Sequence, residues 1–200
     1  MKKLHVSLAV AAAITAPGVL LASISGSAHD FDSVAWNGTG EICITCHTPH
    51  NAEATQLIPL WNHNPTLTAA FTLYGSSTLQ AVTGQPDGAS KACLSCHDGT
   101  IALDQFGGNT VSPGTVMAGV NAAADLGTDL SNDHPVSFTY DTALATADGG
   151  LYDPSVATVA SIAGTPTIAA SLLVGDKMQC SSCHDVHSNK GDAGTAAMML

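Results

Sequence analysis

Apolar residues fall in short, separated groups along this chain rather than in long periodic runs. The longest mostly apolar stretch is residues 8–21, near the N-terminus. Further on come Phe71-Thr72-Leu73-Tyr74 and the alternating segment Val136-Ser137-Phe138-Thr139-Tyr140, whose period of two predicts a strand. Residues 156–168 predict a second strand, broken by Ala163-Gly164-Thr165-Pro166. Residues 167–174 predict a short helix. Between these groups the 19 glycines and 9 prolines are scattered, so turns are frequent. The pattern predicts a mostly irregular chain with short helical turns and a few short strands.

The first apolar stretch has particular flanks. Lys2 and Lys3 precede it, and Gly26-Ser27-Ala28 follow it. This is the three-part arrangement of a secretory signal peptide over residues 1–28, cleaved after Ala28. An uncleaved anchor is the rival, and Pro17-Gly18 with the neighbouring hydroxyl residues weaken it. Residues 29–200 then form a single exported domain, extracellular or else periplasmic, with no later run of the ~18 apolar residues a membrane helix needs.

Cleavage also changes the charge. The full chain carries a formal −11, and loss of the two lysines leaves Lys91, Lys177 and Lys190 against 16 acids, with no arginine. Such a chain does not attract nucleic acid or an anionic membrane. Charged residues are nevertheless only 10%, against a usual ~25%. A surface this poor in charge suits burial against another subunit, although loops rich in Ser, Thr, Asn and Gly have the same composition. Asn37-Gly38-Thr39 matches a glycosylation acceptor and is read as background.

All six cysteines lie in three copies of Cys-x-x-Cys-His: Cys43, Cys46 and His47; Cys93, Cys96 and His97; Cys180, Cys183 and His184. This is the attachment signature of c-type haem. In a helical turn, residues i, i+3 and i+4 share a face. Two thiols then reach the two vinyl groups of one porphyrin, and the adjoining imidazole reaches the iron. Zinc sites also start from paired cysteines, and redox disulfides use the same spacing. Neither requires a histidine after each second cysteine. With 9 histidines in 200 residues, three such coincidences have a chance of about 1 in 10,000. Three haems, with iron bound by His47, His97 and His184, leave ~57 residues per group. Aromatic residues are 4%, so the porphyrins themselves are expected to form most of the core.

Each six-coordinate iron needs a second axial ligand. The histidines left after residue 28 are His29, His50, His63, His134 and His187, five for three places. His50 and His187 each end a Cys-x-x-Cys-His-x-x-His run. A histidine three residues past a proximal ligand is too close to reach the far side of its own haem, so it serves a neighbouring one. His134, held extended by Pro135, and His29, with slack before Cys43, are further distal candidates. His63 follows Leu60-Trp61 and also reads as a core histidine; whether it replaces His29 stays open. Met117 and Met178 read as gap fillers.

Cys46-His47-Thr48-Pro49-His50-Asn51, Leu60-Trp61-Asn62-His63, Cys93-Leu94-Ser95-Cys96-His97-Asp98-Gly99-Thr100, Asp133-His134-Pro135-Val136 and Cys180-Ser181-Ser182-Cys183-His184-Asp185-Val186-His187 carry a resemblance. The chain resembles the small secreted multihaem c-type cytochromes of metal-respiring bacteria, closest to the four-haem subunits that polymerise into extracellular cytochrome nanowires. The resemblance implies a multihaem cytochrome fold with haems at its core and haems stacked in alternating parallel and T-shaped pairs. It implies His47, His97 and His184 as proximal ligands and His50, His134 and His187 as distal ones. It also implies a homopolymer in which one histidine ligates a haem of the next subunit. The chain departs from that pattern because no fourth motif follows residue 188.

Electron transfer is therefore the leading expectation, in a filament or in a soluble shuttle, with other cytochromes or metal oxides as partners. A multihaem reductase needs an open iron position and groups to clamp an anion, and the histidine surplus and missing arginines argue against it. A sensor would need a signalling domain, and none is evident. The apolar ending Ala196-Ala197-Met198-Met199-Leu200 reads as a packed or frayed tail.

Overall fold

The computed structural model describes residues 24–53, 58–109, 114–162 and 164–187. The apolar run at 8–21 with Lys2 and Lys3, and the apolar ending 196–200, lie outside them. Among the described residues no helix is long and apolar enough to cross a membrane.

The chain is mostly coil and turn, as the scattered glycines and prolines predict. Its regular elements are few and short: α1 (Gly88–His97), α2 (Met117–Val120), a 3₁₀ turn (Ala122–Ala124), β1 (Phe138–Thr139), α3 (Thr142–Asp148), α4 (Ile168–Ser171), β2 (Lys177–Met178) and α5 (Cys180–Cys183). The predicted strand at 136–140 is reduced to the two residues of β1. It pairs antiparallel with β2, Phe138 opposite Met178 and Thr139 opposite Lys177. The predicted second strand is a tight chain reversal instead. Thr158 bridges Thr167, Val159 N–H donates to the Pro166 carbonyl (2.8 Å), and Ile168 N–H to the Ala157 carbonyl (2.9 Å). Gly164 (φ +85°) and Thr165 (φ +46°) turn the chain there, where Pro166 offers no N–H to a ladder. The predicted helix at 167–174 is present as α4, with the Thr167 hydroxyl capping Ala170 N–H at 3.2 Å.

Two small apolar clusters stand in place of one large core. Tyr140, Ala145, Val159, Ile168 and Leu172 form the larger, beneath β1, α3 and α4. Phe71, Leu94 and Leu130 form the smaller, against α1. Other apolar side chains, among them Trp61, Ala92, Ile101, Leu103 and Met117, are buried outside these two clusters, and part of the interior is polar. Asn37 is buried, its amide donating to the Phe31 and Glu41 carbonyls, so the acceptor triplet there is a loop brace. Asp98 is buried too, and accepts from Thr66, Thr68 and Thr100 (2.9 Å from Thr68 and 2.8 Å from Thr100).

Candidate functional site

Each Cys-x-x-Cys-His copy has a helical turn, but of different extent. The second sits at the end of α1, ten residues long. The helix stops at Asp98 because Gly99 turns left-handed (φ +71°). A side chain there would also meet the Asp125 carboxylate at 2.7 Å. The third motif is α5 itself, where Gln179 N–H donates to the Ser182 hydroxyl (2.9 Å). The first motif is a single turn, with His47 N–H on the Cys43 carbonyl at 2.8 Å. It is braced by the segment 60–62 rather than by helix length. Thr48 N–H donates to Leu60, Asn62 N–H to Cys46 (2.9 Å each), and the Asn62 amide to Ile44.

The histidines of the three motifs each lie opposite a different histidine ring. His47 lies opposite His187, ring centroids 6.1 Å apart and planes 22° apart. His97 lies opposite His29 at 6.0 Å and 53°. His184 lies opposite His134 at 6.4 Å and 17°. These rings are too far apart for face-to-face contact, which needs ~3.5–4 Å. Two metal–imidazole bonds of about 2.0 Å, plus the distance from each nitrogen to its ring centre, span about 6.3 Å. All three centroid separations lie near that span.

The ring nitrogens are assigned by their surroundings. His47 Nδ1 lies 3.0 Å from the Pro59 carbonyl and His97 Nδ1 2.8 Å from the Ala124 carbonyl. Donation to a carbonyl fixes the proton on Nδ1 and leaves the Nε2 lone pair for a metal. His134 Nδ1 has a longer contact with the Pro135 carbonyl, 3.4 Å. His187 Nδ1 lies 3.8 Å from the Asp185 carboxylate.

Two histidines fall outside the pairs. His50 is exposed, on a turn closed by the Thr48 hydroxyl donating to its carbonyl (2.8 Å), and among the described residues its ring faces no proximal histidine. His63 is fully buried. Its Nδ1 lies 2.9 Å from the Asn64 carbonyl and its Nε2 3.1 Å from the Ala102 carbonyl. Burial nonetheless pushes its pKa down, against those hydrogen bonds. Met117 is buried in α2 and Met178 packs on the larger apolar cluster.

The six cysteines are unpaired thiols, with Cys43 exposed and the other five half-buried. Burial, and then Cys43, push the Cys46 thiol up to about 11. Burial, and then Cys46, push Cys96 well above its ordinary value. A hydrogen bond from Cys93 pulls Cys180 down to about 6, with Ser90 and His134 adding to the effect. A cavity of about 340 Å³ opens beside the first motif, walled by Trp36, Ile44, Asp104 and Phe106. Among the described residues no group of three or more His, Cys, Asp or Glu side chains converges as for a metal ion.

The spacing of the motifs signals the proximal set and the surplus of distal candidates. What it lacks is the pairing, which depends on long-range folding. No protein-family model matches the chain, and no curated protein is significantly similar to it.

Proposed function

We propose that this protein is an exported electron carrier that holds three haem c groups, each bound covalently and ligated by two histidines. The observation that carries this reading is the three-fold histidine pairing, with every proximal ring facing a separate partner at 6.0–6.4 Å. Cys43 and Cys46, Cys93 and Cys96, and Cys180 and Cys183 would supply the thioethers. His47 with His187, His97 with His29, and His184 with His134 would supply the axial ligands. When bound, the haem iron supplies one-electron chemistry.

The chain's own part is to position and to exclude. Carbonyls of Pro59 and Ala124 orient two proximal rings. Filling both axial positions closes the iron to small molecules, which suits transfer without substrate conversion and argues against a reductase. The thin protein core matches a molecule in which the porphyrins complete the interior.

Self-assembly into a filament is the form this function takes. Exposed Leu67 (75%), Val82 (89%), Tyr152 (77%) and Val156 (70%) offer apolar surface on a chain with few charges. The secreted, haem-loaded protein tests both levels. Intact mass should show three haem additions, and cryo-electron microscopy should show continuous filaments. A mass without haem sinks the carrier reading. Discrete monomers or dimers sink the filament and leave a soluble shuttle.

A further inference from the structure

The three motifs are joined in every combination, directly or through one short segment, each time by different groups. The first and second meet at the segment Trp61–His63. Asn62 N–H donates to the Cys46 carbonyl, and His63 Nε2 lies 3.5 Å from the Cys96 sulfur. The Trp61 ring stands edge-on to His47 and close to His63, centroids 6.3 Å in both cases.

The second and third motifs meet where α1 packs on α5. Cys180 N–H donates to the Ser90 hydroxyl, and Ser90 N–H to the Gln179 side-chain oxygen, 3.0 Å each. Gln179 Nε2 and Lys177 both reach the Asp87 carboxylate at the start of α1. Cys93 follows Ser90 by three residues, one turn on along the same face. The third and first motifs meet through His187, which lies three residues beyond His184 and opposite His47.

We infer that the three haem sites form a closed triangle in which every pair is directly adjacent, rather than a line with a single central member. This rests on the three-haem reading proposed above. In a line, removing the middle member separates the other two. In a triangle, no single removal does, and an electron arriving at any site reaches either of the others in one step.

The test compares the haem-loaded wild type with three variants that each lose one attachment, C43A/C46A, C93A/C96A and C180A/C183A. Intact mass counts the remaining haems, and circular dichroism in the Soret region reads coupling between them. All three two-haem proteins should keep a split, exciton-type signal. A single variant with two haems and an unsplit signal overturns the triangle while leaving the carrier reading intact. Absence of haem from the wild type overturns both.

Ligand swaps that preserve every thioether provide an independent measurement should a deletion fail to fold. His29→Met, His134→Met and His187→Met each raise the potential of one haem. In a triangle each swap also shifts the reduction of both other haems, followed by stepwise redox titration with nuclear magnetic resonance. A swap that leaves either neighbour unmoved overturns the proposal.

Discussion

At the scale of single residues, the two groups of histidines behave differently because their ring nitrogens have different surroundings. His187, His134 and His29 lie opposite the motif histidines, so in the proposed three-haem protein replacing any one by alanine opens one iron. We expect about one third of the haem in each variant to become high-spin and to bind carbon monoxide, read by optical spectroscopy. His50→Ala should leave all the haem low-spin. His63 makes a separate prediction. Its pKa is lowered in the folded chain by burial, so the unfolded chain binds the extra proton first. Its contribution to stability is complete above the ordinary value of about 6.5 and is lost as pH falls below it. Melting temperature should therefore drop between pH 7 and pH 5, and His63→Gln should drop less over that interval. The cysteines and the histidines that follow them stand out in the sequence because their motif is local, within one turn of chain. The placing of His29 beside His97 was less legible, since the two are 68 residues apart.

At the scale of elements, α1 is the longest helix among the described residues, and its start is unusual. Asp87 stands at the N-cap but makes no capping bond, because Lys177 and Gln179 occupy its carboxylate. The helix is thus anchored to α5 rather than capped on itself. Ser90 is fully buried in that joint. Ser90→Ala should cost about 1–3 kcal/mol, measured by denaturant unfolding of the haem-loaded protein, because it leaves the Cys180 N–H buried without its acceptor. The alternation at 136–140 announced a strand correctly in kind but not in length. A strand extends only as far as its partner does, and β2 is two residues long, between Asp176 in a left-handed turn (φ +59°) and the start of α5. The strand expected at 156–168 failed for a related reason. Its apolar residues serve a reversal that packs Val159 and Ile168 into one cluster.

At the scale of the whole molecule, the buried apolar residues among those described form two small clusters, of five and three, with others scattered between them rather than one large core. Haem attachment should therefore be coupled to folding, as metal binding is in small metal-dependent domains. The haem-free chain should lack a cooperative melting transition that the loaded chain has, measured by calorimetry. Composition foretold this economy of core, but not the pairing that closes it. That pairing has a consequence for how the protein is made. His134 and His184 are 50 residues apart, His29 and His97 are 68 apart, and His47 and His187 are 140 apart. A chain emerging N-terminus first through an export channel presents both ligands of the second site early, and of the third site only after Cys180 has emerged. The first motif emerges before the others yet waits longest for its second ligand. On the proposed three-haem reading, maturation is then inverted with respect to emergence: the earliest binding turn is completed last, by His187.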